Sequence, residues 1–146
     1  FRRSRGLGDV YKRQGVIFDF IHKLKQDPSR LEVLGNGRQE KSYMDVNDCV
    51  AAILHIYQTE NEAINLFNLG SHDTCSVTRI AEIVIEKTGF HDAVIDYTGG
   101  DRGWAGDIPR AMLSIDKMLS TGYDVSYNSE GAVGNTAEVL IKEIGL

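Results

Sequence analysis

The chain has 146 residues, 42% hydrophobic and 25% charged, the make-up of one soluble globular domain and not of a disordered tail. No apolar run reaches the roughly 18 residues a membrane span needs, and no signal peptide is legible. Net charge is −5, unevenly spread: residues 1–14, FRRSRGLGDVYKRQ, carry five basic groups and one acid, so the rest carries −9.

A basic arm can contact nucleic acid, but this one has no helical or strand period and no basic continuation. Its Gly6-Leu7-Gly8 begins a dinucleotide fingerprint whose third glycine is replaced by Tyr11, with no apolar strand before it. Residues 1–14 therefore read as a non-native or disordered leader, and residues 15–146 as the folded region. Cys49 and Cys75 lack CxxC spacing and read as free buried thiols of a cytoplasmic protein. The histidines at 22, 55, 72 and 91 never fall at ligand spacing, so no metal site is expected.

From Val16 onward, Ile17, Phe20, Ile21 and Leu24 keep helical spacing up to Asp27-Pro28, where proline stops a helix. Residues 31–34 read as a short strand ending in the turn Gly35-Asn36-Gly37, and residues 39–45 as a second strand containing Tyr43. Val46, Val50, Ile53, Leu54 and Tyr57 share one face of an amphipathic helix, with Asp48 an acid in its first turn. Residues 63–69 read as a strand closed by Gly70-Ser71. Ser76 is an N-cap for a helix through Val77, Ile80, Ala81 and Val84 that stops at Gly89. Residues 93–97 form a strand feeding YTGGDRGWAGDIP, a loop with four glycines and the sole tryptophan. A short helix holds Ile115, Met118 and Leu119 and ends at Gly122. The last sets Val133, Ala137, Leu140, Ile141 and Ile144 on one stripe, with Ser129 as candidate cap. The fold class is α/β, a mixed α+β arrangement with little βαβ alternation. No GxGxxG or GxxGxxG opens a βαβ unit, and no YxxxK pair is present.

Two blocks now read together: LEVLGNGRQEKSYMDVNDCVAAI, residues 31–53, and GGDRGWAGDIPRAMLSIDKMLSTGY, residues 99–123. They resemble the carboxy-terminal third of NAD-dependent nucleotide-sugar epimerases and dehydratases, the extended short-chain dehydrogenase/reductase family, in particular UDP-glucose 4-epimerase-like proteins. The resemblance spans residues 15–146, in the family's order of helix, hairpin, helix, strand, helix and loop. It implies the small substrate-binding domain of such an enzyme, with the NAD-holding Rossmann half missing.

By resemblance, the strand ending in Val33 and Leu34 offers backbone groups to uracil. Lys41 stands where the family has a diphosphate-binding arginine, and Tyr43 matches the aromatic of that strand. Arg102 is matched to the loop arginine that binds diphosphate, and Asp107 to the acid that binds ribose hydroxyls. Two departures stand out. Lysine at 41 offers a point charge where arginine offers a fork. Arg102 lies five residues before Asp107 where the family's arginine lies three before, and Trp104 fills that place. Residue by residue, without the pattern, Arg102 reads as a surface ion pair and Lys41 as a solvated strand lysine. Tyr43 reads equally as core or contact, and Trp104 as packing or stacking.

The resemblance implies a nucleotide-sugar partner, NAD in the complete enzyme and none bound here, no nucleic acid and no membrane. None of the residues that carry the hydride chemistry is present, so the chain alone is expected to be inactive. The alternatives are a dTDP- or GDP-sugar dehydratase or reductase, or a stand-alone nucleotide-sugar binding module. Deleting residues 1–14 is expected to leave the melting temperature unchanged in a thermal scan, and a fall of many degrees would make the leader part of the fold.

Overall fold

The computed structural model describes residues 15–103 and 106–146; the leader and Trp104 lie outside the described residues. Chain order is α1 (Val16–Gln26), β1 (Arg30–Val33), β2 (Glu40–Lys41), α2 (Val46–Thr59), β3 (Cys75–Ser76), α3 (Val77–Thr88), β4 (Val94–Tyr97), β5 (Arg110–Ala111), α4 (Asp116–Ser120) and α5 (Ser129–Ile144). The strands make two small sheets. β1 and β4 pair in parallel, Arg30 opposite Val94 and Val33 opposite Tyr97. In the other, β2 lies between β3, antiparallel, and β5, parallel.

The main core forms where α1, α3 and α5 pack together against β1. Phe20, Ile21 and Leu24 of α1 are buried there with Leu31 and Val33, Ile80 and Val84, and Val133 and Ala137. Helical spacing puts each group on one face, and burying such side chains stabilises by roughly 1.5–3 kcal/mol apiece. α1 ends, and α3 begins and ends, where their sequences say. α1 stops at Asp27, whose carboxylate turns back to accept from the Ser29 amide at 3.0 Å and hydroxyl at 2.6 Å. Ser76 accepts from the Arg79 amide at 3.1 Å to cap α3, and Gly89 at φ 78° closes it.

Four expectations are corrected. The second strand shrinks from residues 39–45 to Glu40–Lys41, because only that pair finds partners on both sides. It makes no hairpin with β1, because both of its own edges are taken by β3 and β5 in a separate sheet. Residues 63–69 form no strand: no other described segment pairs with them, although Phe67 and Leu69 pack into a second, smaller core with Ala52, Ile115 and Met118. The cap of α5 is Asn128, which accepts from the Gly131 amide at 2.9 Å. Ser129 is instead fully buried, its hydroxyl donating to the Asp73 carbonyl and accepting from the Tyr43 amide.

α2 forms where expected, but its apolar face points outward. Val46, Val50, Ile53 and Leu54 are exposed, and Tyr57 is 84% exposed. The helix is held by its polar edge. Asp45 caps it, accepting from the Asn47 amide at 2.8 Å and from the Asn135 side chain at 2.6 Å. Asp48 is buried, and its carboxylate accepts from the Ser126 and Tyr127 amides at 3.0 and 3.2 Å. Asp48 thus docks the segment before α5 as well as facing the helix dipole. Asp48→Ala would strand two amides; it is expected to lower stability by about 1–3 kcal/mol, read as a lower urea midpoint at unchanged slope.

Candidate functional site

Between α1, the end of β1, β2 and the start of α3 lies a cavity of about 440 Å³. Its apolar walls are Val16, Phe20, Leu34 and Val77; its polar groups are Asp19, Gln39, Lys41, Tyr43 and Asp107, with Gly103 from the glycine-rich loop. The turn after β1 shapes it. Gly35 and Gly37 have φ of 83° and 74°, left-handed values that glycine adopts without a steric cost. At Gly37 a side chain would collide with Thr78 and the Tyr97 ring. The Thr78 amide donates to the Gly37 carbonyl, and the Val77 amide to that of Gln39, both at 3.0 Å, so the start of α3 is stitched to the turn.

The loop is anchored at both ends. On the β4 side, Thr98 Oγ1 accepts from the Gly35 amide, and the Gly99 amide donates to the Gly35 carbonyl, both at 2.9 Å. On the other, the Glu40 amide donates to the Pro109 carbonyl at 2.7 Å, and β5 pairs with β2. These anchors carry Asp107 to the mouth of the cavity. There Lys41 Nζ lies 2.7 Å from Asp107 Oδ1, while the Gly103 amide donates to Asp107 Oδ2 at 3.2 Å. The Lys41 hydrogen bond holds the Asp107 carboxyl below its ordinary range against the opposing effect of burial, and the Gly103 amide adds to it. Burial, together with Cys75 and Asp107, pushes the Tyr43 hydroxyl up to about 12. Tyr43 is therefore neutral at physiological pH, able to donate to a ligand oxygen but unsuited to act as a base.

Of the six site residues expected from sequence, Leu34, Lys41, Tyr43 and Asp107 converge on this cavity. Val33 does not line it: its side chain is in the core, and its carbonyl accepts from the Thr98 amide at 3.0 Å. Arg102 is exposed and does not line it either, although its peptide carbonyl packs against Gly35. Gln39 was missed. Its position between the Gly35–Gly37 turn and Lys41 was the available signal, and it proves to be 2% exposed in the cavity wall. The string Gly100, Gly103, Gly106 has GxxGxxG spacing and follows β4, but the chain then enters β5 and not a helix. The helix N-terminus that such a loop needs for pyrophosphate is absent from that place, so these residues do not fit NAD.

The profile of the NAD dependent epimerase/dehydratase family matches residues 7–70, a span that includes Leu34, Lys41 and Tyr43. The fold is similar to that of a UDP-galactose 4-epimerase, at 34% identity and a TM-score of 0.76 over 90% of this chain. The chain is similar to the NAD-dependent epimerases and dehydratases. A Methanocaldococcus jannaschii protein named as a UDP-glucose 4-epimerase is 29% identical over 109 residues, 75% of this chain. The Thermotoga maritima UDP-glucose 4-epimerase, solved with UDP-glucose, shares the fold at 22% identity and a TM-score of 0.74 over 92% of this chain. This chain spans 33% of the length of the first of these two relatives and 41% of each solved structure.

A carboxyl with a depressed folded value contributes stability above its unfolded pKa of about 3.9 and loses it as pH falls through the folded value. Carbon-detected NMR is accordingly expected to find Asp107 titrating below that figure. Lys41→Met should move the midpoint upward, and an unmoved midpoint would mean the ion pair is not formed in solution.

Proposed function

We propose that this chain binds the nucleotide diphosphate of a nucleotide sugar, a UDP-sugar first, as the substrate-binding region of an NAD-dependent 4-epimerase. The observation that carries the reading is the convergence of Lys41, Tyr43 and Asp107 on one cavity with Leu34 among its apolar walls. Lys41 supplies a cation for a diphosphate oxygen, and Asp107 an acceptor for two vicinal hydroxyls. Tyr43 adds a neutral donor. The apolar walls suit the face of a base. Arg102, on the loop that carries Asp107, is the second phosphate ligand once the loop closes over a ligand. In this reading NAD supplies the hydride chemistry of the complete enzyme. Since the chain has neither a fitting fingerprint nor YxxxK, it is expected to show no turnover by itself.

Isothermal calorimetry with UDP isolates the nucleotide contacts. Arg102→Ala is expected to weaken UDP binding about ten- to a hundred-and-fifty-fold, the loss of one charge-assisted bond. Lys41→Arg should be tolerated or tighten binding, because the guanidinium fork matches phosphate. Asp107→Asn should cost less than Arg102→Ala, since an amide oxygen still accepts. Absence of UDP binding by the unsubstituted chain would overturn the proposal.

A further inference from the structure

Tyr43 lines the cavity with Lys41 and Asp107, yet it stands two residues beyond the end of β2, outside every strand. The β2–β3 ladder stops at Lys41, opposite Cys75. Past that point side-chain hydroxyls replace strand partners. Ser42 Oγ accepts from the Ser71 amide at 3.1 Å, and Ser129 Oγ accepts from the Tyr43 amide at 3.0 Å. A half-buried backbone N–H needs such an acceptor, and Tyr43 finds it 86 residues away at the start of α5.

Ser129 is itself held firmly. Its hydroxyl donates to the Asp73 carbonyl at 2.9 Å, so its proton and an acceptor lone pair are both engaged. Its amide donates to Asp73 Oδ1 at 2.8 Å, and the same oxygen accepts from the Ser71 hydroxyl at 3.1 Å. Desolvation pushes the Asp73 carboxyl up, but the bonds from Ser129 and Ser71 outweigh it and hold the group below its ordinary range. Ser71 and Ser129 are fully buried, and neither they nor Asp73 line the cavity. What they touch of the site is the backbone that carries Tyr43. A hydrogen bond works only within a narrow range of length and angle, so the backbone position of a donor residue bears on the bond it can make. We infer that Ser129, fixed by Asp73, is a positioning residue of the nucleotide site: it holds the Tyr43 backbone and thereby sets where the Tyr43 hydroxyl stands in the cavity. This rests on the nucleotide-diphosphate reading above, in which Tyr43 donates to the ligand.

A double-mutant cycle on UDP affinity, measured by calorimetry on the full chain, tests it. Tyr43→Phe removes the donor and is expected to weaken UDP binding about two- to twelvefold. Ser129→Ala should weaken it within the same range. Added to Tyr43→Phe, Ser129→Ala should cost less than about a further twofold, because the group it positions is already gone. A merely structural role would weaken UDP by the same factor in both backgrounds. Should Ser129→Ala fail to fold by circular dichroism, Ser129→Cys takes its place in the cycle, keeping a similar volume and offering the amide a poor acceptor. Effects that multiply, or an affinity unchanged in the Ser129 variant or in Tyr43→Phe, would overturn the inference and leave UDP binding standing. No UDP binding by the unsubstituted chain would overturn both.

Discussion

When β1 pairs in parallel with β4, the two strands end side by side, and the segments leaving them must share one small space. After β1 comes the Gly35–Gly37 turn; after β4 comes the glycine-rich loop, tied to that turn through Thr98 and Gly99. Gly35 and Gly37 lie against other groups too closely for a side chain, so the turn cannot move away without breaking the contact with α3. The cavity is what remains between these fixed parts. A register shift of one residue would flip Leu31 and Val33 out of the core, so the packing of α1, α3 and α5 indirectly fixes where Leu34 stands.

The second sheet does for charge what the first does for shape. Its strands are two residues long, too short to be stable by themselves, and they persist because both their neighbours are anchored elsewhere. Lys41 is on β2 and Asp107 lies just before β5, so the β2–β5 pairing brings the two side chains within reach. Thr74 and Arg110 both approach Glu40, and Ser42 is tied to Ser71, so polar contacts support the sheet along its length.

Helix starts and stops were legible because they depend on local chemistry: Asp27-Pro28, Ser76, Gly89 and Gly122 act within a few residues of themselves. Of the six residues the pattern singled out, Leu34, Lys41, Tyr43 and Asp107 line one cavity, and Val33 and Arg102 do not. Strand partners were not legible, because pairing is decided by residues far away in sequence. The expected hairpin failed for that reason: nothing in residues 30–41 says that Cys75–Ser76 and Arg110–Ala111 will claim both edges of β2. The face of α2 failed for a related one. Spacing shows that Val50, Leu54 and Tyr57 share a side, but Asp45 and Asp48 decide which side the fold covers. Two buried carboxylates, each accepting hydrogen bonds from other segments, outweigh an apolar stripe that finds no surface to meet. An exposed face of that breadth has the character of an interface.

The Lys41–Asp107 ion pair lines the cavity together with a second carboxylate, Asp19, in a body of the chain that is acidic overall. A lone lysine would be satisfied by water, and a lone buried carboxylate would resist ionisation. Paired, Lys41 holds the Asp107 carboxylate ionised, and Gly103 secures it in place. On the proposed reading, an entering diphosphate would share Lys41 with Asp107, so its gain would be the difference between two anions competing for one cation. Ribose hydroxyls alter that balance, because they donate to the carboxylate and replace part of what the lysine gave it. A free phosphate offers the cation a partner but leaves Asp107 with only Gly103. On the proposed reading a nucleotide would offer both groups a partner at once, so the pair would favour the whole ligand over its anionic part.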